Sequence, residues 1–71
     1  MVKTQVLRAY MTLKGVTTKD LADAQGWGMS TAYRKLTGKS AFTVPEMQLC
    51  QKFLDLDAST MSAIFFAPDL S

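Results

Sequence analysis

No histidine occurs in this chain of 71 residues, and cysteine occurs once. A zinc site would need several cysteines in place of the missing histidines, so neither a metal centre nor a cofactor is expected. The lone thiol, Cys50, has no partner for an internal disulfide, and a reducing cytosol is the expected compartment. Long apolar runs are missing too. Met1 to Thr12 carries Lys3 and Arg8 without an extended hydrophobic stretch, which predicts no signal peptide, no membrane span and a soluble, cytoplasmic protein. Paired carboxylates, an activated nucleophile and a phosphate-binding glycine loop are also lacking, so a binding protein is expected rather than an enzyme.

What remains is a chain with room for one domain, expected to span residues 1–71, with an ordinary 48% of hydrophobic residues. A domain this short buries only about 60% of its unfolded surface, which leaves little to wall a deep substrate pocket. The net charge of +2 is unevenly spread. Residues 1–45 hold seven basic side chains against Asp20 and Asp23, a balance of +5; residues 46–71 hold Lys52 against Glu46, Asp55, Asp57 and Asp69, a balance of −3. The amino-terminal part should attract phosphates, and the remainder is free to meet a partner.

Apolar residues predict five helices and no strands. Val6, Leu7, Tyr10, Met11 and Leu13 recur at helical spacing from about residue 3 to Lys14, where Gly15 stops the run. Thr17 and Asp20 form a near capping box for a second helix, Thr18 to Gln25, which Gly26 ends. Gly28 opens a third, running through Tyr33 to about Thr37 before Gly38. After a loop at 39–43, Thr43 and Glu46 make a capping box with Pro45 in the first turn of a fourth helix. Met47, Cys50, Phe53 and Leu54 are expected to be buried there, with Gln48, Gln51 and Lys52 facing water. Asp57 or Ser59 caps a fifth helix carrying Met61, Ile64 and Phe65, which Pro68 stops near Ala67.

The stretch from Gly15 to Lys39 is the most informative. Leu21 and Ala22 face inward, the small Ala22 allowing two short helices to approach, and Trp27, Ala32 and Leu36 fill the space between them. Met29, Ser30, Thr31, Tyr33, Arg34 and Lys35 are left outward, none of them acidic. Gly15-Val16-Thr17, Leu21-Ala22, Gly26, Ser30-Thr31 and Gly38-Lys39 resemble, in order and spacing, the lambda-repressor-like helix-turn-helix family. Gln25 stands where that family usually has an apolar residue, and Thr18 where it commonly has glutamine.

The resemblance implies an all-α, five-helix domain with a helix-turn-helix at about 17–37, and a function like that of the Cro-like repressors of phages and prophages. The third helix would enter the major groove of a double-stranded DNA operator, with Thr17 and Thr18 at a phosphate. Arg34 is then the best base reader, through two hydrogen bonds to guanine; Ser30 and Thr31 are weaker readers, and Met29 would pack on a thymine methyl. Lys39, Ser40 and Tyr33 would hold the backbone, and Lys35 would be a further DNA contact. The resemblance also implies a homodimer.

Plainer roles compete for single residues. Arg34 and Lys35 outside such a motif would be read as solvated surface, and Tyr33 as packing over the next loop. Trp27 is expected in the core rather than as a stacking platform, and Cys50 as a buried small hydrophobe rather than a reactive thiol. Ile64, Phe65 and Phe66 are too many large apolar residues for so small a core, which predicts a self-association or partner surface. A protein-binding modulator of the anti-repressor type, docking on another phage regulator, is the alternative function.

Overall fold

Local capping sets where each helix begins. In a computed structural model, which describes residues 2–66, α1 spans Thr4–Leu13, α2 Thr18–Gln25, α3 Met29–Leu36, α4 Val44–Leu54 and α5 Ala58–Phe65. No strand occurs among the described residues. The Thr17 hydroxyl accepts the Asp20 N–H at 3.1 Å, and the Asp20 carboxylate accepts the Thr17 N–H at 3.0 Å. Thr43 and Glu46 repeat the arrangement at α4, with Pro45 in the first turn. Asp57, not Ser59, caps α5 by accepting the Thr60 N–H at 2.7 Å. Ala67 and Pro68, expected to mark the stop of α5, lie outside the described residues.

Four helices stop in the same way, with the chain turning left-handed at Gly15, Gly26, Gly38 and Asp55. Each turn carries the six-to-one backbone hydrogen bond of a Schellman motif, as from Trp27 N–H to Ala22 C=O at 2.8 Å and from Leu56 N–H to Gln51 C=O at 3.0 Å. Gly26, at φ 75°, gives α2 the sharp reversal that starts α3 only three residues later. Asp55 takes φ 52° without that freedom, in a conformation that aspartate tolerates better than most residues.

Each helix contributes a fully buried side chain to one core: Leu7 from α1, Leu21 from α2, Leu36 from α3, Cys50 and Leu54 from α4, Ile64 from α5. Burying each large aliphatic side chain contributes roughly 1.5–3 kcal/mol. α2 packs on α3 and α4, while α1 packs on α3 and α5. The Lys3 N–H donates to Ile64 C=O at 2.7 Å and so joins the beginning of α1 to the end of α5.

Several side chains are placed by neighbours that local helical spacing does not reveal. Phe42, in the loop, is buried edge-on between Trp27 and Phe65, with ring centroids 5.8 and 5.3 Å away. Phe53, expected in the core, is exposed because adjacent Leu54 takes the inward position on α4. Gln51, expected in water, is half-buried and donates its amide to Leu56 C=O at 3.3 Å.

Candidate nucleic-acid interface

The amino-acid order of α3 sorts its side chains by helical period. Ala32 and Leu36 point into the core, whereas Ser30, Tyr33, Arg34 and Thr37, at intervals of three and four, form one outward stripe. Met29 begins the stripe, 41% exposed, and Tyr33 is its largest aromatic surface at 56%. Among the described residues the Arg34 side chain has no hydrogen bond or ion pair, so its guanidinium is uncommitted. Thr37 spends its hydroxyl on Tyr33 C=O at 2.7 Å. Lys39 is exposed beyond the end of α3, while Thr31 and Ser40 are half-buried at the margins.

Lys35 departs furthest from the surface on which it was expected. Its ammonium turns inward to Glu46 Oε1 at 2.9 Å and to Ala41 C=O, 5.8 Å from the centre of the Trp27 ring. The Lys35 and Glu46 side chains are 13% and 19% exposed, so this lysine is part of the packing between α3 and α4 and not an outward cation. Glu46 also accepts the Thr43 N–H at 2.8 Å and the Trp27 indole N–H at 2.9 Å. Burial works to raise its pKa, but hydrogen bonds from Thr43, Lys35 and Trp27, with the charge of Lys35, outweigh it and hold the carboxyl below its ordinary range.

Gln25, the polar residue at a position expected to be apolar, is explained at the same junction. Its amide donates to Glu46 C=O at 2.8 Å and approaches Cys50 Sγ at 3.5 Å, so α2 is tied to α4 by a polar contact. Burial lifts the Cys50 pKa to about 11 despite that hydrogen bond, and the charge of Glu46 adds to the rise; the thiol is inert packing.

At the start of α2, Thr17 is exposed and Thr18 half-buried. They line an open hollow of about 410 Å³ with Arg8, Met11, Thr12, Gly15 and Val16. Arg8 belongs to α1 and was absent from the expected surface, because nothing but its charge marks it in the sequence. The Thr17 N–H is already held by the Asp20 carboxylate, whose pKa is lowered by that hydrogen bond. A phosphate at this end must therefore use Arg8 and hydroxyl groups more than the Thr17 amide.

The aromatic run near the carboxyl end divides. Ile64 and Phe65, expected on a partner surface, are core residues at 0% and 5% exposure; Phe66 alone faces out, at 62%. α5 turns two of three successive apolar residues inward, because Phe42 and Trp27 extend the core far enough to receive Phe65. Phe66 borders an uncharged hollow of about 310 Å³ between α4 and α5, with Val44 and Met47 at its side.

Among the described residues no group of three or more cysteine or carboxylate side chains is arranged to hold a metal ion, and no helix is long and apolar enough to cross a membrane. No protein-family model, curated protein or solved structure matches the chain.

Proposed function

We propose that the chain is a sequence-specific regulator of transcription that binds double-stranded DNA, a Cro-like repressor in which α2 and α3 act as a helix-turn-helix. The observation that carries this reading is the outward stripe of α3: Met29, Ser30, Tyr33 and an Arg34 without a side-chain partner among the described residues, with Lys39 beyond and no carboxylate in the stripe. Its 8 residues make a rod about 12 Å long, the scale of the major groove. Arg34 donates two hydrogen bonds to guanine, Met29 meets a thymine methyl, and Ser30 adds a weaker contact. Arg8, Thr17, Lys39 and Tyr33 hold phosphates and fix orientation. Two copies associate through the face at Phe66 and read half-sites about one helical turn apart. Such a protein works in the cytoplasm without catalysis or cofactor, its occupancy set by its concentration and by competing regulators.

Selection from a random duplex library at two salt concentrations tests this. The expected result is a palindromic site whose binding weakens with salt, with Arg34→Ala losing about 1–3 kcal/mol of discrimination at one base position. A library that yields no preferred sequence, with binding indifferent to Arg34→Ala, refutes it.

The uncharged hollow beside Phe66 and Val44 supports a second reading, a modulator that docks on another regulator. Such a protein lacks salt-dependent affinity for duplex DNA, which separates the two.

A further inference from the structure

The capping role of Glu46 accounts for only one of its partners. A capping box needs the Thr43 N–H alone, yet the same carboxylate receives the Lys35 ammonium and the Trp27 indole N–H. These donors come from α3 and from the turn before it, 11 and 19 residues away in sequence. α3 packs mainly on α1 and α2, and α4 mainly on α2. The two helices share little backbone contact, and beyond the common core that Leu36, Cys50 and Leu54 enter, the Lys35–Glu46 ion pair links them directly.

We infer that Lys35 and Glu46 are positioning residues for the α3 face, fixing the rotation of α3 about its axis without touching the ligand. The inference rests on the DNA-binding reading of that face. Successive residues of a helix differ by about 100° of rotation, so a side chain pinned inward at position 35 dictates the direction of its neighbour. With Lys35 held by Glu46, Ala41 C=O and the Trp27 ring, Arg34 and Tyr33 point outward together. Released, α3 rocks about its apolar contacts and the stripe loses a single orientation. Lys35 thus acts in recognition as an internal strut, although its type and place in the sequence suggest a phosphate contact.

The test compares wild type, Lys35→Met and Glu46→Gln on a duplex selected from the library and on a scrambled duplex, at a temperature where circular dichroism shows each protein folded. Positioning predicts that both variants lose affinity for the selected duplex by roughly 2- to 30-fold, retain their affinity for the scrambled one, and keep the wild-type salt slope. A phosphate contact predicts otherwise: Lys35→Met weakens both duplexes alike and lowers the slope by about 1, while Glu46→Gln frees a cation and tightens scrambled binding. That pattern overturns the inference. If the wild type shows no salt-dependent duplex binding, the DNA reading has failed and amide exchange decides the strut on its own. Lys35→Met must then speed exchange in α3 while leaving α1 and α5 unchanged; uniform or unaltered exchange refutes it.

Discussion

Glu46→Ala removes the acceptor of three donors at once, and its cost follows from where those donors sit. Hydrogen bonds to a charged group are each worth about 1.5–3 kcal/mol, and an unsatisfied buried donor costs about 1–3 kcal/mol. The Thr43 N–H is exposed and turns to water, so its share is small. Lys35 keeps Ala41 C=O but loses its countercharge at 13% exposure, and the Trp27 indole N–H is half-buried with no other acceptor among the described residues. Together these give a loss of about 2–4 kcal/mol. A domain of this size has about 4–11 kcal/mol in total, and each kcal/mol shifts its Tm by about 4–8 °C. Thermal unfolding followed by circular dichroism should therefore show a Tm lower by at least about 8 °C. Breaking the exposed Lys19–Asp23 pair with Lys19→Met, as a control, should leave Tm nearly unchanged. A Glu46→Ala protein melting within about 3 °C of wild type would sink the argument.

The same carboxylate has a pH signature. Its folded-state pKa lies below the ordinary unfolded value of about 4.3, so between the two the unfolded chain binds more protons. The contribution is complete above the unfolded value and is lost as pH falls through the folded one. Asp20 and Asp57 are also lowered, by hydrogen bonds from Thr17 and Thr60, and share this acid limb. The difference between wild type and Glu46→Gln isolates the Glu46 part: stability should converge as pH drops below about 4 and diverge above it.

Gly26→Ala forces a side chain into the left-handed region at φ 75° and should destabilise by about 1–2 kcal/mol in urea melts, although open space surrounds the position. Unchanged stability would mean that the turn relaxes. Cys50, buried with its pKa raised to about 11, should react with a thiol reagent at pH 8 only through unfolding, so urea should accelerate labelling in step with the unfolded fraction. Rapid labelling of the native protein would contradict that placement. Phe66→Asp should lower the sedimentation mass from dimer to monomer without lowering Tm in a dilute, monomeric sample, since this side chain is exposed while Phe65 is not. A dimer that survives the substitution would move the self-association surface elsewhere.

How much could be read from the sequence depended on distance along the chain. The five helices were legible because their starts and stops are local: Thr17 with Asp20, Thr43 with Glu46, and a glycine three times just past the last turn. Asp55 was not recognised as such a stop, because aspartate is at once a plausible cap, turn and surface residue. Core and surface were less legible where adjacent apolar residues compete, as with Phe53 beside Leu54 or Phe66 beside Phe65. Helical period gives a direction, and which neighbour fills it depends on volumes supplied by other elements. Phe42 and Gln25 show the same limit, one a loop residue drawn into the core and the other a polar residue kept by a distant carbonyl. For the candidate surface, Ser30, Tyr33, Arg34 and Lys39 stand outward as read, whereas Lys35 and Arg8 exchange importance. Glu46 gave no warning that it would draw Lys35 inward, because its capping role already explained its presence.

Position 28 differs from the glycines that end helices. Gly28 begins α3 at φ −73° with nothing within 4 Å of where a Cβ would stand, so neither backbone nor space requires glycine there. Serine, asparagine or aspartate at this position would add a cap, and a Cβ there meets nothing within 4 Å. One residue from Met29, at the mouth of the outward stripe, the protein therefore holds a vacant letter: a place where mutation can write new contacts without rewriting the scaffold. On the DNA-binding reading proposed above, position 28 is thus a place to alter recognition apart from any side chain that the core or the Glu46 junction already claims.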